Sequence, residues 1–183
     1  MLGKSERSNL DYLTKILDEN TMIKISCYQT TQNQLPKTFC QLTEKCYYSN
    51  LKTIIFTENE DYSQNLDRIL WTYSKKHFIP HATSLDPLPE KQPVYITHNI
   101  NEYNKSKIII FINPSQKTIL EAFSQNSLIQ PKLVQKILFI HDEIQKIHSD
   151  IIKNLLEKSY INRFVINAFN QTKQGAWEEL NLS

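Results

Sequence analysis

Glycine is almost missing. Gly3 and Gly175 are the two glycines in 183 residues. Loops that cradle phosphates need glycine where the backbone must approach a nucleotide closely. Neither GxxxxGK[ST] nor GxGxxG can be spelled here, and no GxSxG elbow exists. Gly3-Lys4-Ser5 imitates the end of a phosphate loop, but no strand precedes it. Long apolar runs are also lacking: none approaches the roughly 18 residues of a membrane-spanning helix. The start, Met1 to Ser8, has no apolar core of the kind that marks a secretory signal, so a cytoplasmic location and no membrane contact are expected. The three cysteines, Cys27, Cys40 and Cys46, form no CxxC pair and fit buried thiols better than a disulfide framework. Arginine is scarce (Arg7, Arg68, Arg163), and a net charge of +2 is too small for a general nucleic-acid coat.

The remaining composition, 40% hydrophobic and 22% charged, is that of a globular chain long enough to build its own core. Residues 1–21 read as an N-terminal extension. Leu10, Leu13, Ile16 and Leu17 keep helical spacing there, as a docking helix or as a loosely attached tail. The main domain is expected over 22–183. Period-two alternation predicts a strand at 23–28, and 52–57, 94–97, 107–112 and 136–141 also read as strands, 107–112 being apolar nearly throughout as expected of a central strand covered on both faces. Helical spacing predicts helices at 34–49, 61–73 and 116–124, and a long one at about 142–162. Asn59 or Asp61 is placed to cap the second. Pro80, Pro87, Pro89 and Pro93 confine 80–93 to turns and short edges, and Phe164–Ile166 and the Trp177 segment end the chain. Alternating strands and helices predict a single-domain α/β layered sheet, largely parallel, with helices on both faces. The close spacing of the strands around 94–112 suggests a mixed section there.

Catalytic chemistry finds little support. His77 and His81 are four apart, but Pro80 spoils a helical pair. His98 stands alone, and His141 and His148 have no third ligand at metal-like spacing. Glu58, Glu60 and Asp61 cluster after a strand, where an α/β sheet keeps its ligand crevice. They read either as an acidic site of an α/β enzyme or as a solvated turn favouring the following helix N-terminus. No base, orienter and oxyanion hole assemble, so no catalytic residue, metal or cofactor is assigned.

Binding features are stronger. Residues 71–81 hold Trp71, Tyr73, Phe78, two lysines, His77 and His81. Such a cluster serves either as an interface anchor or as core beneath the second helix. Along the long helix, Lys146, Lys153, Lys158 and Arg163 flank Leu155, Leu156 and Tyr160. A basic rim around apolar side chains suits an acidic, partly hydrophobic peptide, and equally suits a solvated face.

Leu70-Trp71 followed by Phe78-Ile79-Pro80-His81, then Pro93-Val94-Tyr95-Ile96, the apolar strand 107–112 and Gly175-Ala176-Trp177-Glu178 occur in this order. From Met22 onward the chain thereby resembles the chi subunit of bacterial DNA polymerase III holoenzyme. The resemblance implies a non-catalytic subunit of the clamp-loader assembly. It would hold the acidic C-terminal tail of single-stranded-DNA-binding protein and reach the loader through the psi subunit or another clamp-loader component, with any DNA contact indirect. By the same resemblance Leu70, Trp71, Phe78, Pro80 and His81 match the psi-binding surface. Lys153 matches the basic position of the tail site. Leu156 departs from the aromatic expected there, leaving Lys158, Tyr160 or Arg163 to supply contacts. A direct single-stranded nucleic-acid binder is the other reading beside the acidic-site enzyme.

Overall fold

The computed structural model describes residues 23–74, 77–88, 91–102, 105–122, 133–142 and 164–180. Within them the chain builds one eight-stranded sheet. In chain order the strands are β1 (Ile23–Gln29), β2 (Thr53–Phe56), β3 (His81–Thr83), β4 (Val94–Thr97), β5 (Ile108–Ile112), β6 (Lys136–His141), β7 (Phe164–Gln171) and β8 (Trp177–Leu180). Three helices accompany them: α1 (Leu35–Tyr48), α2 (Glu60–Tyr73) and α3 (Gln116–Ala122). The strand order is β3-β4-β2-β5-β6-β1-β7-β8. Every neighbouring pair is parallel except β7–β8.

The apolar run Ile108–Ile112 explains why β5 is interior. Ile108, Ile110 and Ile112 pack with α1 and α2, while Ile109 and Phe111 pack with α3. Both faces are covered, so the run needs no polar alternation. Each buried isoleucine contributes about 1.5–3 kcal/mol of transfer free energy. α1 starts at Leu35 with Pro36 in its first turn, where a missing N–H costs nothing. Phe39, Leu42, Thr43 and Cys46 are buried along one face, at the spacing that predicted the helix. Asn59 caps α2, its Oδ1 accepting the Tyr62 N–H at 2.9 Å. α2 turns Leu66 and Leu70 fully inward, with Ile69 and Tyr73 half-buried against the same core.

Two features differ from the sequence expectations. The strands at 94–97 and 108–112 are not a mixed pair: β2 lies between them and is parallel to both. The antiparallel section is instead the β7–β8 hairpin, closed by the turn at Gly175 with φ +86°. Closeness in sequence does not make strands neighbours when the connection between them is long enough to cross a third. The extension 1–21 and, of the expected long helix at about 142–162, residues 143–162 fall outside the described residues.

The cysteines are free and buried. Burial pushes the thiols of Cys27 and Cys40 up to about 12 and that of Cys46 to about 11, the last against an opposing pull from Lys136.

Candidate functional site

Leu70 and Trp71 are adjacent on α2, so their side chains leave the helix about 100° apart. Leu70 goes into the core and Trp71 goes out. Past the C-terminus of α2 the chain is extended toward β3, and its side chains alternate. Phe78 points out, Ile79 is buried in the core, and Pro80 is half-buried. The two outward rings meet. Trp71 and Phe78 have centroids 5.0 Å apart, and each is 57% exposed. Leu70 and Ile79 therefore supply the core beneath the helix end, and the larger rings are left on the surface.

His81 lies under this pair. Its ring centroid is 5.2 Å from that of Trp71 and 6.4 Å from that of Phe78. Its side chain is fully buried, with Nδ1 2.7 Å from the Ile79 carbonyl oxygen and Nε2 3.2 Å from Asp67 Oδ1. Nε2 makes no hydrogen bond, so Asp67 is a close neighbour of the imidazole and not its hydrogen-bond partner. His81 also opens β3, which among the described residues is an edge strand paired with β4 alone. The patch thus combines two exposed aromatics, a fixed imidazole and the end of a sheet edge. Beside it, His77 Nδ1 lies 3.2 Å from Glu44 Oε1 on α1 and meets Tyr48 edge-on at 6.4 Å. Tyr48 is itself 58% exposed and extends the aromatic surface onto α1. Sequence reasoning missed Tyr48. Its position one residue beyond the buried face of α1 is the only signal that could have found it.

The acidic cluster comes apart. Glu58 reaches across to α3, where Oε1 accepts the Ser115 N–H and, at 2.9 Å, the Thr118 hydroxyl. Glu60 accepts from Ser84 Oγ at 3.1 Å and lies 3.0 Å from His98 Nδ1. Asp61 is exposed in the first turn of α2, where a negative charge favours the helix N-terminus. Glu58 and Glu60 are occupied in tying elements together and do not converge on a common point. Among the described residues no group of three or more His, Cys, Asp or Glu side chains could hold a metal ion. A further carboxylate, Glu102, accepts hydrogen bonds from Tyr95 Oη at 2.7 Å and Thr97 Oγ1 at 2.6 Å. Burial alone would raise its pKa. The bonds from Thr97, Tyr95 and Asn99, with His98 nearby, outweigh burial and hold it below the ordinary glutamate value.

Lys153, Leu156, Lys158, Tyr160 and Arg163 lie outside the described residues, so the structure does not bring them together with the aromatic patch or separate them from it. No helix of the described residues is long and apolar enough to cross a membrane.

The family model described as DNA polymerase III chi subunit, HolC, matches residues 22–133. A probable DNA polymerase III subunit chi from Rickettsia prowazekii (strain Madrid E) is 34% identical over 164 residues, covering 87% of this chain and 93% of that protein. The chain belongs to the chi-subunit family of DNA polymerase III, whose members are accessory and not catalytic subunits of the holoenzyme.

Proposed function

We propose that this chi subunit is a protein-protein adaptor that couples the clamp-loader assembly to single-stranded-DNA-binding protein. The observation that carries the reading is the side-by-side exposure of Trp71 and Phe78 over a buried His81. Large aromatics left on the surface as a contiguous patch mark a docking site, and Trp is among the residues most often dominant in interfaces. The psi subunit, or another clamp-loader component in its place, covers this patch with an apolar side chain seated between the rings. Leu70 and Pro80 form its base from below.

The second contact is with the acidic tail of single-stranded-DNA-binding protein. Lys153, Lys158 and Arg163 steer and orient the tail, while Leu156 and Tyr160 receive its apolar end. Exposed ion pairs contribute only roughly 0–1 kcal/mol each, so the apolar insertion supplies much of the affinity. Both contacts belong to the cytoplasm, and neither needs a cofactor. Anisotropy of a labelled tail peptide tests the second contact. Lys153→Ala, Arg163→Ala and Tyr160→Ala are each expected to weaken binding several-fold, and equal binding by all three variants contradicts the assignment. Binding assays with purified clamp-loader components of the same organism test the first contact, and loss of retention with Phe78→Ala is the expected result.

A further inference from the structure

A cleft of 760 Å³ opens where the C-terminal end of α1 meets the starts of β1, β5 and β6. It is at the centre of the sheet, away from the β3 edge that carries Trp71 and Phe78. Lys24, Lys45 and Lys136 line it, with Tyr28, Leu51 and Leu138 among the apolar walls. None of the three lysines has an ion-pair partner among the described residues. Three like charges around one cleft repel each other, and a bound polyanion removes that repulsion.

Among the described residues, the cleft continues onto a part of the sheet that no helix covers on this side. The helices on this side, α1 and α2, spread over β6, β2, β4 and β3, whereas β7 and β8 lie beyond them in the strand order. Lys24 is opposite Val165 in the β1–β7 register, and Tyr28 is opposite Phe169. The two-residue period puts all four on one face. Tyr28 stacks on Phe169 at 5.2 Å and meets Trp177 of β8 edge-on at 5.1 Å. Val165 is 42% exposed, and all three rings are partly accessible. A cationic cleft therefore leads directly onto an aromatic platform.

We propose that this strip binds a short length of single-stranded nucleic acid, with phosphates at Lys24, Lys45 and Lys136 and bases against Tyr28, Phe169 and Trp177. Lysine serves as a point charge for phosphate, and the rings beside the cleft supply the stacking faces that bases use and a peptide backbone does not need. Every base offers a π-face, so the platform is expected to be tolerant of sequence. Glu179 stands opposite Phe169 on the same face, its Oε1 accepting from Asn167 Nδ2 at 2.6 Å, so the phosphates must track the lysine side of the platform and not this carboxylate.

The test uses the full chain, a fluorescently labelled oligothymidylate of roughly 16 nucleotides, and no other protein. Three phosphate contacts on a single strand give a slope of log K against log salt of about −2, or roughly 15- to 20-fold weaker binding between 50 and 200 mM salt. The triple variant Lys24→Gln/Lys45→Gln/Lys136→Gln is expected to abolish binding while melting like wild type. Trp177→Leu is expected to weaken binding roughly tenfold, and Trp71→Ala to leave it unchanged. No binding by wild type at 50 mM salt overturns the proposal. So does binding that survives the triple substitution. An acidic peptide captured by the lysine cleft in preference to the oligonucleotide also overturns it, in favour of a protein ligand.

Discussion

His81 lies beneath Trp71, ring centroids 5.2 Å apart, with Nε2 held 3.2 Å from Asp67 Oδ1 on the same helix as the indole. The buried imidazole is therefore the support on which an exposed ring rests, and it joins α2 to the first residue of the edge strand. His81→Ala leaves a void under Trp71 and strands Asp67. It is expected to cost about 1–3 kcal/mol of stability and to weaken partner docking without removing either exposed ring. Chemical denaturation alongside a docking assay checks both effects. Unchanged docking by a folded His81→Ala protein would show that the imidazole supports nothing.

Phe78→Ala and Trp71→Ala should behave differently from that variant. Each removes a ring already more than half in solvent, so stability is expected to change by about 0.5 kcal/mol or less. Docking, in contrast, should fall by about 2 kcal/mol or more per ring, some 30-fold. If Phe78→Ala lowers the melting temperature as much as a core truncation does, the ring belongs to the core and not to an interface.

Ile110 provides that reference truncation. It is fully buried in β5 beneath α1 and α2. Ile110→Ala is expected to cost about 2–5 kcal/mol, and Ile110→Val about 0.5–1.5 kcal/mol. Urea unfolding curves give both values directly, and a cost near zero for Ile110→Ala would remove β5 from the centre of the fold.

Glu102 gives an acid-side signature. Its pKa is lowered in the folded protein, so its contribution to stability is present above the unfolded glutamate value of about 4.3. That contribution is lost as pH falls through the lower folded value. Glu102→Gln is expected to flatten this part of the stability-pH curve and to lower stability at neutral pH. Parallel acid limbs for wild type and variant contradict the role. On the alkaline side the thiols are protonated: at about 12, 12 and 11 for Cys27, Cys40 and Cys46, they should resist a thiol reagent at pH 8 until the protein unfolds.

The elements with strong periodicity were readable from sequence because burial imposed it. The all-apolar β5 and the stripe of Phe39, Leu42 and Cys46 on α1 fall where the pattern placed them. Strand β3 was readable only as a short edge, since three residues after Pro80 carry too little pattern. Adjacency was less accessible. The insertion of β2 between β4 and β5 is a property of crossovers, which local pattern does not record. The aromatic cluster at 71–81 could be identified by composition. Which rings are exposed required knowing that Leu70 and Ile79 already fill the space beneath α2. The family itself was legible in the Leu70-Trp71 and Phe78-Ile79-Pro80-His81 pattern.

The adaptor reading is tested most directly by retention on immobilised single-stranded-DNA-binding protein, intact and lacking its acidic tail, with the clamp-loader components added in solution. The account predicts that intact protein retains this chain and, through it, a loader component. The tailless protein should retain neither, and Phe78→Ala should retain the chain but lose the loader component. Equal retention by intact and tailless protein, or none by either, would contradict the adaptor role.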